Sequence, residues 1–119
     1  MTRHRACAVD ALLPGEKHAL EVGGRHVVVV RAGDGSFHAL ADVCPHQGAR
    51  LSGGPVGGVV VDHGGVPAVE RAGDVIRCPW HNFAFDIRTG RSLLEPDRYR
   101  VRVYQVEVEG GDVVVEVPG

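Results

Sequence analysis

Two short segments limit most tightly what this chain can fold into. Cys44-Pro45-His46 and Cys78-Pro79-Trp80-His81 each set a thiol and an imidazole around a proline, and 31 residues separate His46 from Cys78. Thiolate and imidazole are the ligand types taken by zinc, copper and iron–sulfur centres. Cys44, His46, Cys78 and His81 are therefore read as one metal site, and the fold has to carry two separate loops to a common point. Ligand types alone admit a four-coordinate zinc site. Three features point away from zinc. Zinc ligands in a pair usually stand roughly two to four residues apart, and the Cys-x-His pair is tighter. Both loops are rich in Pro, Gly and aromatics, as if to clasp something larger than one ion. Trp80, Phe83 and Phe85 gather around the second pair, where they would exclude water from a redox centre.

The scaffold around these loops is predicted to be all-β. The chain of 119 residues holds 22 Val against two Ile, three Phe and one Met. Branching at Cβ suits Val to pleated strands. With 17 Gly and seven Pro, short strands joined by turns are expected, and a single domain is enough for this length. Strands are expected at 7–9, 19–22, 26–32, 37–41, 59–62 and 75–77. The run at 26–32 is apolar enough to be buried on both faces, and Gly33-Asp34-Gly35 turns it into 37–41. Residues 44–54 read as loop. At the C-terminal end Val101 and Val103 alternate in one phase and Val106 and Val108 in the other, which predicts a bulge or bend near Tyr104. Gly110-Gly111-Asp112 then turns the chain into a last strand with Val113, Val115 and Val117 on one face. No helix-length periodicity is present.

Formal net charge is −2, and 12 of the 13 basic residues are scattered arginines, so no basic run points to nucleic acid. The longest bulky aliphatic run, 27–30, is far too short to span a membrane. Residues 1–5 are basic but lack the apolar stretch of a signal peptide, so a cytoplasmic location is expected. Three cysteines without such a signal argue against a disulfide framework. Cys7 is read as a small buried hydrophobe. His4, His18, His26, His38 and His63 have no partner at ligand spacing and are read as surface or turn histidines.

The two segments, continued through Gln47-Gly48-Ala49 and through Asn82-Phe83-Ala84-Phe85-Asp86-Ile87-Arg88-Thr89-Gly90-Arg91, resemble the two cluster-binding boxes of Rieske ferredoxins and Rieske oxygenase domains. Phe37-His38-Ala39-Leu40 before the first box, Leu51-Ser52-Gly53-Gly54 after it, and the Val-rich final hairpin follow the same order of elements. The resemblance covers roughly residues 22–117. It implies an antiparallel β-sandwich with a smaller cluster-binding part, at about 42–96, formed by two loops. It implies a [2Fe–2S] cluster with Cys44 and Cys78 on one iron and His46 and His81 on the other. Gln47, Gly48, Trp80, Asn82, Phe83 and Pro96 would surround it. Gly48 would let a backbone N–H approach a cluster sulfur, Trp80 would shield the cluster or else be a core residue, and Pro96 is assigned to a third covering loop from order alone. Asn82 stands where the family usually has glycine, and Asn tolerates positive φ better than most residues. The gap between the boxes is about twice the family's usual one, so 60–74 reads as an insertion with Gly64-Gly65 as its turn and 66–70 as an extra strand.

Such a protein is expected to carry single electrons from a flavin reductase to an oxygenase or similar terminal enzyme, through weak contacts. The 38 residues after His81 contain no histidine, so the mononuclear iron site of a complete oxygenase is not there, and the chain is read as an electron-transfer protein more than an enzyme by itself. A small subunit of a nitrite reductase, or a zinc-stabilised module, are the alternatives. Mixed ligation makes the oxidised centre neutral and the reduced one −1, where four thiolates would give −2 and −3. The family's potentials accordingly span roughly −150 to +300 mV. High-potential members add a disulfide between the loops and hydroxyl donors to the sulfurs. Here no cysteine follows either box closely, and Asn82 and Phe83 carry no hydroxyl. A redox titration is predicted to place the midpoint at the low end of the range; a value well above the standard hydrogen potential contradicts this.

Overall fold

A computed structural model describes every residue except His46, Gln47, His81 and Gly119. Among the described residues, nine antiparallel strands run β1 (Thr2–Ala8), β2 (Lys17–Val22), β3 (Arg25–Arg31), β4 (Phe37–Ala41), β5 (Val56–His63), β6 (Val66–Arg77), β7 (Ala84–Asp86), β8 (Val103–Glu109) and β9 (Asp112–Val117). Short 3₁₀ turns at Val9–Ala11 and Leu51–Gly53 are the helical segments among the described residues, and no helix is long and apolar enough to cross a membrane. Six strands form one sheet in the order β1-β9-β8-β4-β3-β2, and β5-β6-β7 form a second. The all-β expectation holds.

The valine run of β3 explains the layering. Side chains alternate across a strand, and Val27 to Val30 are all fully buried. Val27 and Val29 join a core layer with Ala39, Val113, Val115 and Val117. Val28 and Val30 join the other, with Leu40, Leu51, Ile76, Phe85 and both Cys44 and Cys78. One strand thus separates a scaffold core from a core that carries the candidate ligands. Cys7, read as a small hydrophobe, is buried in the first of these layers, and that burial pushes its thiol pKa up.

The phase change expected near Tyr104 is visible in the burial: Val101 is buried, Val103 exposed and Tyr104 buried. Its cause differs from the bulge predicted. Strand β8 changes partner here, pairing with β4 through Val103 and Tyr104 and with β9 from Gln105 onward. Register shifts fall instead between Arg5 and Cys7 of β1 and between Gly57 and Val59 of β5. At the second shift the partner strand jumps from Val75 to Glu70, so residues 71–74 bulge out, with Arg71 and Gly73 at positive φ. The bulge docks on the β3–β4 turn, where the Cβ that Gly33 lacks would lie 2.1 Å from the Ala72 carbonyl oxygen. Residues 66–70 are the far end of one long strand, β6, paired with β5 around Gly64-Gly65. This hairpin tip is exposed, with Val60, Val66 and Val69 at the surface.

Val28→Ala and Val29→Ala are each expected to cost about 2 kcal/mol from lost apolar burial and the cavity left behind, while Val60→Ala costs almost nothing. Urea denaturation measures this. Only Val28→Ala should also raise the reactivity of the Cys44 and Cys78 thiols towards a thiol reagent.

Candidate metal centre

The first loop leaves β4 at Ala41 and is pinned before it reaches Cys44. Asp42 is buried, and its carboxylate accepts the Ser52 N–H at 2.7 Å and the Ser52 hydroxyl at 2.6 Å. A buried charge needs such donors, and here they tie the two ends of the loop together. Inside it, the Cys44 N–H donates to the Ala49 carbonyl and the Gly48 N–H to the Cys44 carbonyl, both at 2.7 Å. The Gly48 amide therefore closes a turn, where the sequence suggested an approach to a cluster sulfur. The second loop leaves β6 at Arg77 and is closed by the Cys78 N–H donating to the Phe83 carbonyl at 2.8 Å. Asn82, inside it, has φ +59°, the left-handed backbone that Asn tolerates better than most residues.

The loops meet at a backbone seam. Gly54 packs so closely on the second loop that a Cβ there would lie 1.7 Å from the Arg77 carbonyl oxygen. Beside it, the Arg77 N–H donates to the Pro55 carbonyl at 3.0 Å. This contact brings together thiols 34 positions apart in sequence. Cys44 and Cys78 are free, fully buried and neighbours within the same core layer. Burial pushes the Cys78 thiol up most strongly, the Trp80 backbone N–H pulls it down, and the neighbouring Cys44 pushes it up further.

The donor set fits a positively charged centre. The Cys78 thiol, buried beside a second thiol, resists ionising, because desolvation and the neighbouring sulfur both oppose it. A metal bound to both sulfurs removes that obstacle, since a coordinating thiol is deprotonated outright. Among the described residues no group of three metal-binding side chains comes together. His46 and His81, the other half of the expected set, lie outside the described residues, as does Gln47.

The remaining candidates divide. Phe83 packs on the layer holding the cysteines, 5.5 Å from the Phe85 ring and 5.1 Å edge-on from Tyr99. Trp80 is 60% exposed, which rules out the core reading of it. Pro96 is exposed. The sequence reading missed the Asp42–Ser52 clamp, the role of Gly54 and the ring of Tyr99. Ser52 and Gly54 stood in the quoted motif, but nothing in the sequence named their partners.

Comparison with known proteins agrees with this geometry. The Rieske [2Fe–2S] domain family matches residues 2–105. The ferredoxin component of the p-cumate 2,3-dioxygenase system of Pseudomonas putida is 32% identical over 111 residues, covering 93% of this chain and 82% of the relative. A chain from the complex of reduced oxygenase and oxidised ferredoxin in carbazole 1,9a-dioxygenase is 32% identical, with a TM-score of 0.74 and 95% and 100% of the two chains covered. A candidate small subunit of an NADH-dependent nitrite reductase from Mycobacterium tuberculosis is 32% identical, with a TM-score of 0.76 and 99% and 97% covered.

Gly54→Ala is expected to force the loops apart, lowering stability by about 2 kcal/mol or more and lowering the iron retained per purified chain. Gly53→Ala, whose Cβ would meet only the Pro79 ring at 3.5 Å, should leave both near wild type. Denaturation midpoints and elemental analysis check the pair.

Proposed function

Because the chain belongs to the Rieske [2Fe–2S] domain family, we propose that it is a one-electron carrier: the ferredoxin component that accepts electrons from a flavin-dependent reductase and passes them to an oxygenase. The observation that carries this is the meeting of two buried free thiols from separate loops. The cluster, when bound, supplies a couple that changes by one electron. Cys44 and Cys78 would hold one iron, and His46 and His81 the other. The residues around them keep the site rigid and dry. Asp42 and Ser52 fix the span of the first loop, and Gly54 lets the second loop close on it. Phe83 covers the cysteine side with Phe85 and Tyr99 behind it; Trp80, Gly48, Asn82 and Pro96 would form the rim, and the family resemblance alone assigns Gln47 to it. A rigid surround suits electron transfer, because little has to rearrange when the charge changes.

The chain works as one domain, with residues 42–96 as its cluster-binding part and 60–74 as an insertion built into the β5–β6 hairpin. Three free, buried cysteines suit a reducing compartment, and we place the protein in the cytoplasm. A second reading, the small subunit of a nitrite reductase, draws on the likeness to the Mycobacterium tuberculosis chain. In that reading the same site passes its electron within a larger enzyme.

The purified protein is expected to be reddish brown and to bleach with dithionite. A colourless protein loaded with zinc would support a structural metal site and contradict electron transfer. Mixing the reduced protein with candidate acceptors separates the two electron-carrier readings: an oxygenase that reoxidises it supports the first, and a nitrite reductase that does so supports the second.

A further inference from the structure

Five of the twelve arginines are matched by acids. Arg3 reaches Glu107, Glu109 and Glu116, Arg5 reaches Asp112, Arg71 reaches Asp86, Arg88 reaches Asp34 and Asp74, and Arg98 reaches Glu95. Seven have no acidic partner among the described residues, and three of these, Arg91, Arg100 and Arg102, fall at and just after the end of the second box. Arg91 and Arg100 stand directly opposite each other in an antiparallel bridge. Both are exposed, and among the described residues neither has an acidic side chain within ion-pair distance. Like charges directly opposite on one sheet face are destabilising, so this pair works against folding. Arg102, two residues on and also exposed, lies over the Tyr104 ring at 5.3 Å. Arg100 and Arg102 line one side of an open cleft of about 430 Å³ that ends at Thr89.

The position of this strip gives it meaning. Tyr99, beside Arg100, sets its ring 5.1 Å from Phe83, and Phe83 accepts the Cys78 N–H at 2.8 Å. Two contacts therefore connect the strip to a candidate ligand. The nearby acids do little to neutralise it: Glu95 is engaged by Arg98 and Asp86 by Arg71, which leaves Asp97 in the intervening turn. Unmatched charge of one sign beside a redox centre, on a chain of net charge −2, steers a partner of opposite sign to that side.

We propose that Arg91, Arg100 and Arg102 form a docking strip for an acidic protein surface. The proposal rests on the electron-carrier reading for its purpose, and takes the partner to be a redox protein. An extended acidic surface fits better than a small anion, because the guanidinium groups are spread along the surface and no buried polar side chain lines the cleft. Contacts of this kind set the encounter rate and let go readily, as a carrier requires.

Poly-L-glutamate serves as the probe, titrated calorimetrically into the protein at low salt. Wild type is expected to bind it, and binding should weaken at least about tenfold when salt rises to about 0.2 M. The variant Arg91→Gln/Arg100→Gln/Arg102→Gln should weaken it by a similar factor. Arg3→Gln/Arg5→Gln/Arg25→Gln, with the same net charge, should bind within about twofold of wild type. Failure of poly-L-glutamate to bind, or equal loss in both variants, overturns the strip. So does citrate binding that depends on the three arginines while poly-L-glutamate is ignored, since that makes the cleft a small-anion site. A kinetic arm reads the same surface beside the redox centre. Each dithionite-reduced chain gives one electron to one ferricyanide, which becomes hexacyanoferrate(II). That rate should fall with added salt and with poly-L-glutamate in wild type, and much less in the strip variant. A rate that rises with salt in wild type contradicts the proposal. A protein without a reducible chromophore defeats the electron-carrier reading, while the calorimetry still decides the strip.

Discussion

Everything in the site depends on the backbone contact between Gly54 and the Arg77 carbonyl. Two loops from different parts of the chain touch there without a side chain between them, and the Arg77 N–H fixes the approach by bonding the Pro55 carbonyl. Cys44 and Cys78 are consequently neighbours inside a closed apolar layer. Each local feature serves this meeting. The Asp42 carboxylate holds Ser52 and so the loop's span, and the turn of Cys78 onto the Phe83 carbonyl presents the second thiol.

The scaffold supplies rigidity from the other side. Strand β3 is buried on both faces, so the layer with the cysteines rests on a second layer with no chemistry of its own. Close-packed interiors transmit strain and resist small displacements. A redox centre benefits from this, because ligands that stay put need little reorganisation as charge comes and goes. The exposed β5–β6 tip and the exposed Trp80 lie at the other extreme, outside the packed layers.

What the sequence revealed follows from the range of the interactions. Val-rich alternation, turn glycines and the double-sided run at β3 are local patterns, and the strands they predicted are present. The ligand pairs were legible because Cys and His in tight, repeated spacing are rare without a metal. Asn82 was legible too, since positive φ restricts the residue types allowed. The Asp42–Ser52 clamp, the Gly54 seam and the 71–74 bulge each depend on a partner set by the fold. In the same way, the phase change near Tyr104 was visible in the sequence, but a partner change and a bulge leave the same trace there. The unmatched arginines were invisible for this reason as well: only the fold shows which of twelve have acids beside them.

The central claim is that two thiolates on one iron and two imidazoles on the other form a single bridged pair. Mössbauer spectroscopy of iron-enriched, reduced protein tests it most directly, because each iron reports its own ligands. The structure and the ligand set predict two distinct iron environments of equal intensity, tied magnetically to each other. One uniform environment, or iron that binds without acid-labile sulfide, would contradict it.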